Sequence, residues 1–258
     1  MPGRGADRVA CLAALALLMA SGVALVGALR AEPWLRYALR IETAAAPLNL
    51  PSGVRNRLSA RLAEQDVTSC DWDLPESRVT VAMELLRRSR EDAPDSPNRS
   101  DAEGAAGKAV HEAISCNAAD ANLWYLLALL EQRSGTDWGR VQELLLLSAA
   151  LAPHETDLLT KRARLVSWQL GRGSVALPLD LEADLRRAIA SARIEDAAAI
   201  LASLRKGGRQ ALADDLVAGL SDERLRALET GTSWRRSTFG RPERYRTYEY
   251  RPFGEPAR

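Results

Sequence analysis

Histidine is nearly absent from this sequence. His111 and His154 are the only two in 258 residues, and neither has a second His or a Cys at ligand spacing. A transition-metal site is therefore not expected, because such sites need three or four ligands at fixed offsets. Both histidines read as ordinary helical or capping residues. Aromatic side chains make up 5% of the chain and Phe occurs twice. With Ile also scarce, strand formers are missing, while Ala, Leu and Arg dominate, so the composition points to helices. No H-E-x-x-H, C-x-x-C, G-x-S-x-G or P-loop pattern occurs, which leaves no motif for an enzyme. The run Gly171-Arg172-Gly173-Ser174-Val175-Ala176 imitates a dinucleotide fingerprint, but it follows a helical pattern instead of a strand and reads as a turn. Asp71-Trp72-Asp73 likewise reads as a solvated turn before a helix. The net charge of +1, from 35 basic and 34 acidic residues, gives no global electrostatic case for nucleic acid. No catalytic residue, metal or cofactor is expected.

Long apolar runs are also rare, and one dominates. Val9 to Leu29 carries no charge and is flanked by Arg8 and Arg30. At about 1.5 Å per residue it just covers a bilayer core of ~30 Å. A cleavable signal would need a shorter core and a small-x-small site, which Leu29 and Arg30 interrupt. Residues 1–30 are therefore expected to be an uncleaved transmembrane signal anchor, followed by a juxtamembrane helix over 31–47. Arg4 and Arg8 before the run nearly balance Arg30, Arg36 and Arg40 after it, so charge alone does not orient it. A short N-terminal tail ahead of a long domain favours a bacterial single-pass inner-membrane protein with its bulk in the periplasm. Cys11 lies inside the run. Cys70 and Cys116 either pair or are two separate small buried residues. Pairing would enclose a loop of roughly 46 residues, worth about 4 kcal/mol in the chain-entropy model.

The rest of the chain follows a helical period. Leu35, Ala38, Leu39 and Glu42 would share one side of the juxtamembrane helix. Val54, Leu58 and Leu62 recur every four residues, and Val79, Ala82, Met83 and Leu86 make the stripe of the next helix. Residues 92–107 hold two prolines with several Ser and Asp and no apolar period, the pattern of a flexible surface loop. Asn98-Arg99-Ser100 matches a glycosylation acceptor, a triplet too common to use. Leu123 to Leu130 is apolar at eight consecutive positions. That is too short for a bilayer, and a helix apolar on every side must be covered on every side.

The segment around it resembles a tetratricopeptide repeat over about Ala106 to Ser167. Trp124, Leu127 and Ala128 stand where the repeat's first helix carries its W-x2-L-G/A pattern. Val141, Leu145, Ser148 and Pro153 fall at second-helix positions, and Val110 and Ala113 hold equivalent places one unit earlier. Glu131 departs from the pattern at the position usually held by tyrosine. The resemblance implies an all-α fold, a helical-repeat solenoid over 48–229 whose inner helices are sandwiched by neighbouring units, with Trp124 in the core. Together with the N-terminal run, the chain resembles the membrane-anchored helical-repeat proteins of bacterial polysaccharide and envelope assembly systems. That resemblance implies a non-enzymatic scaffold holding protein partners.

Residues 230–258 change character, with seven Arg against three Glu, about half of the aromatics and no helical period. This tail is either a solvated terminus or a docking segment. In the second case Trp234, Tyr245, Tyr248, Tyr250 and Phe253 would anchor it, and Arg235, Arg236, Arg244 and Arg246 would supply charge-assisted hydrogen bonds. The rival to a scaffold is a cytoplasm-facing binder of nucleic acid or an anionic surface acting through this tail. Deleting residues 230–258 is expected to leave helix content and melting of the domain unchanged while lowering partner recovery. Unchanged recovery in a pull-down means the tail is only a solvated terminus. Replacing the aromatics should hurt most if the partner is a protein, and replacing arginines or adding salt should hurt most if it is a polyanion.

Overall fold

The computed structural model describes residues 19, 21, 31–43, 50–64, 70, 73–89, 97–173 and 176–230. These are all-α, with no strand among the described residues. The order is α1 (31–43), α2 (Ser52–Glu64), α3 (Asp73–Arg88), α4 (Pro97–Cys116), α5 (Ala121–Arg133), α6 (Trp138–Leu151), α7 (Thr156–Leu170), α8 (Leu179–Ser191), α9 (Ile194–Lys206), α10 (Gln210–Ala218) and α11 (Asp222–Thr230). The chain divides into two compact units, residues 1–112 and 113–258.

In the first unit one arginine organises the polar contacts. Arg78 of α3 is almost fully buried; it donates to the Leu62 carbonyl near the end of α2 and to the Glu112 carboxylate of α4, 2.9 Å away. Its guanidinium also lies over the Trp34 ring of α1. Lys108 of α4 donates to the Ala63 carbonyl at 2.6 Å, so two cations serve the carbonyl end of α2, where the helix dipole favours positive charge. Leu58 and Leu62 are buried on α2, as are Val79, Ala82, Met83 and Leu86 on α3, following the period in the sequence.

Two expectations about this unit are corrected. The buried stripe of α1 is Trp34, Ala38 and Ile41, whereas Leu35 and Leu39 are exposed. The larger indole, one position from Leu35, takes the covered side and rotates the helix accordingly. The flexible loop expected over 92–107 is helical from Pro97 onward. Its composition hid a small-residue stripe: Ala102, Ala105, Ala106 and Ala109 are buried. Alanine pays no side-chain entropy in a helix, and this compensates for the two glycines in the segment. Proline at a helix start sacrifices only an N–H that has no intrahelical partner.

The localisation expected from the sequence is also corrected. Among the described residues no helix is long and apolar enough to cross a membrane. The described helices that bury apolar residues do so on stripes, and the all-apolar stretch of α5 is buried except for the half-buried Trp124. Apart from Met19 and Ser21, the run Val9 to Leu29 lies outside the described residues.

The second unit is an array of helical hairpins. α5 packs on α6, α7 on α8 and α9 on α10, while α5 also meets α7, α7 meets α9 and α9 meets α11. The even helices repeat this, α6 against α8 and α8 against α10, and α8 also meets α9 of the following hairpin. The first helices of the hairpins open at Ala121, Thr156 and Ile194, spacings of 35 and 38 residues. Asp120 and Asp137 cap α5 and α6, each carboxylate accepting a backbone N–H of the first turn at 2.8 Å. The core alternates between the two sets: Leu127, Ala128, Ala163, Ala197 and Ile200 on odd helices, Val141, Leu145, Leu181, Leu185 and Ile189 on even ones.

At one end of the odd helices the backbones touch. Gly171 closes α7 and Gly207 closes α9; a Cβ on Gly207 would overlap the Gly171 Cα, and one on Gly171 would sit 2.9 Å from the Ser203 carbonyl oxygen. Ser203 reinforces the approach by donating to the Ser167 carbonyl at 3.2 Å. Only hydrogen fits at these two positions. Gly207→Ala should therefore destabilise the protein by about 1–3 kcal/mol through overpacking, read as a lower urea midpoint. The same change at Gly173, where an added Cβ meets open space, is expected to leave the midpoint in place.

Candidate functional site

Charged side chains inside the second unit define what holds its hairpins in register. Arg162 of α7 is 0% exposed and Asp184 of α8 is 1% exposed. Arg162 Nε donates to Asp184 Oδ2 at 2.7 Å, and its two terminal nitrogens reach the Ala152 carbonyl at 3.3 Å, just beyond α6. Arg187 donates to the other carboxylate oxygen. One guanidinium thus joins α7 to its hairpin partner α8 and to the end of the preceding hairpin. Its planar fork can serve two acceptors in different directions, which an ammonium point charge does less well.

The motif recurs further along. Arg224 of α11 donates to the Ile189 carbonyl at 2.8 Å and to Ala192, at the end of α8. Burial lowers the Arg224 pKa from its ordinary value. Arg164 of α7 pairs with Asp196 of α9. Beside this pair, burial drives the Tyr125 phenol well above its ordinary pKa, and the Arg164 charge only partly opposes the shift. Lys161 is held low by burial, against Asp157, Glu155 and Asp120.

Among the described residues, one open feature of this unit is a cleft of about 490 Å³ where α7 and α9 end, lined by Gly171, Arg172, Gly173, Lys206, Gly207, Gly208 and Arg209. Arg172 lies over the Trp168 ring at 4.6 Å, and Arg209 donates to the Gly173 carbonyl at 3.2 Å. No acidic side chain lines the cleft. The run that imitates a dinucleotide fingerprint is here: Gly171 is the C-cap of α7, so the run opens no helix at this glycine, and Ser174 and Val175 lie outside the described residues.

The repeat residues named from the sequence are mostly interior. Val110, Ala113, Leu127, Ala128, Val141, Leu145 and Ser148 are buried, and Pro153 is half-buried in the turn after α6. Trp124 is corrected: it is half-buried, and its indole N–H donates to the Ala118 carbonyl at 2.8 Å, tying the preceding turn to α5. An indole N–H needs an acceptor, and here that acceptor lies in a turn at the edge of the core. Cys70 and Cys116 are both disulfide-bonded. His111 is exposed on α4 and His154 is exposed in the turn after α6. Among the described residues no group of three or more His, Cys, Asp or Glu could hold a metal ion. Asp71 and Trp72 lie outside the described residues, as do the tail residues Trp234, Arg235, Arg236, Arg244, Tyr245, Arg246, Tyr248, Tyr250 and Phe253.

No family model matches the chain, and neither a curated protein nor a solved structure matches it.

Breaking the buried pair from one side should be costly. Asp184→Ala leaves an uncompensated guanidinium inside the array and is expected to destabilise by about 3–5 kcal/mol in urea unfolding. The double change Arg162→Met with Asp184→Leu removes both charges and should cost less than Asp184→Ala alone. A single-variant loss under about 1 kcal/mol would mean that the hairpins hold their register without the pair.

Proposed function

We propose that this protein is a non-enzymatic scaffold or adaptor whose stacked helical hairpins hold a protein partner. The observation that carries the reading is the packing of the second unit, in which, besides the hairpin contacts and an α8–α9 contact, odd helices meet odd and even helices meet even. Tetratricopeptide-like arrays are built this way, each hairpin covering the next, with repeats of about 34 residues. The spacings of 35 and 38 residues between odd-helix starts are close to that length. Such an array presents its two helix sets on different faces, and one face typically serves as an extended binding surface. The resemblance seen in the sequence extends the proposal to partners from an envelope or exopolysaccharide assembly system.

The test is direct binding to a partner recovered with the tagged full chain and then purified. Ala202 is exposed on α9 and Leu147 is exposed on α6, so each reports on one helix set. Ala202→Arg should weaken binding about tenfold or more, equivalent to about 1.4 kcal/mol, with unchanged melting. Leu147→Arg should leave binding intact. If no partner binds saturably, or neither face matters, the scaffold reading fails.

A further inference from the structure

The cations around the cleft at the ends of α7 and α9 have no internal task that accounts for their charge. Cations near a helix C-terminus ordinarily answer its free carbonyls. Here backbone amides already do so. Gly171 donates to Ser167 and Arg172 to Gln169, while Gly207, Gly208 and Arg209 donate to Ser203, Arg205 and Leu204. Arg172 is spread over the Trp168 ring, which fixes its position without neutralising it. Arg209 meets only a carbonyl, that of Gly173. Among the described residues no carboxylate pairs with Arg172, Lys206 or Arg209, although many other arginines of this unit have one. Three positive charges therefore face one concave space whose floor is glycine backbone.

We infer that this cleft is a docking site for an acidic segment of a partner protein, with Arg172, Lys206 and Arg209 receiving its carboxylates. The inference rests on the scaffold reading and names the chemistry of what is held. The volume of about 490 Å³ suits a few side chains. A long polyanion would need a continuing track of cations, whereas α9 begins with Glu195 and Asp196. The chain's own tail has the wrong net sign, since residues 230–258 carry seven Arg against three Glu. Open space around Gly173 leaves room for a peptide to enter.

The experiment uses the full chain and a fluorescein-labelled hexaglutamate peptide, followed by anisotropy at low salt. The expected result is saturable binding that weakens about tenfold or more in Arg172→Gln/Lys206→Gln, and as much in Gly173→Glu, which sets a carboxylate in the cleft where space is open. Arg140→Gln, on α6 and paired with Glu143, should bind like wild type. Melting curves establish that each variant is folded, and Gly173→Glu carries the test if the double variant is not. Absent peptide binding, or binding equal in all variants, overturns the inference. Inorganic phosphate displacing the peptide at equal concentration would make this a small-anion site, and a single-stranded oligonucleotide binding more tightly through the same residues would make it a polyanion site; either outcome also overturns it. Because hexaglutamate is a defined probe, cleft-dependent binding can succeed where no protein partner is found. Conversely, a partner sensitive to Ala202→Arg can coexist with no peptide binding, so the two readings fail separately.

Discussion

A fully buried guanidinium sets the terms for the hairpin array. Taking Arg162 out of water costs several kcal/mol, and the cost is met only when the Asp184 carboxylate and the Ala152 carbonyl stand where the fork can reach them. Those acceptors come from two other segments, so the pair is satisfied in one register of α6, α7 and α8 and unsatisfied in neighbouring ones. Apolar contacts among Leu, Ala and Ile supply most of the burial but discriminate little between registers, because they are non-directional. Arg78 plays a similar part within the first unit, and Arg224 does so at the end of α8. Helices that are short and mostly Ala and Leu leave carbonyl ends to be satisfied, and arginine from a neighbouring helix repeatedly satisfies them.

Much of the fold was legible because its period is local. The stripes of α2 and α3 follow from apolar spacing alone, and the break at Gly171 lies where the sequence marks a turn. The misread elements were missed for different reasons. Pro, Ser and Asp made the start of α4 look like a loop although Ala102, Ala105 and Ala109 kept a helical spacing. Trp124 was assigned to the core from its place in the all-apolar run and the repeat pattern, while its N–H holds it at the edge. The apolar run ahead of Arg30 suggested a membrane protein, and no described helix bears that out.

The buried charges were visible in principle. Arg162 stands four residues after Leu158 and before Val166, on a stripe that is otherwise apolar, and Asp184 interrupts Leu181, Leu185 and Ala188 in the same way. Opposite charges set into the inner stripes of consecutive helices signal an internal pair. The basic cleft was not legible, since Arg172 and Lys206 are separated by a full hairpin unit and meet only when α7 and α9 end side by side. Gly171 and Gly173 were read correctly as a turn, but the turn's electrostatic surroundings are a property of the stack.

The Gly171–Gly207 contact also bears on the mechanics of the array. Two main chains that meet with only hydrogen between them are already at their shortest approach, so this end of the α7–α9 pair cannot be compressed further. Toward the start of α9 the Arg164–Asp196 pair also ties it to α7, through side chains that, unlike glycine backbone, can change rotamer. The glycine contact acts as a steric stop: it resists closure of the two hairpins at this end but does not by itself hold them together. The stop lies in the floor of the cleft, so it sets a lower limit on how near the backbones that carry Arg172 and Lys206 can come.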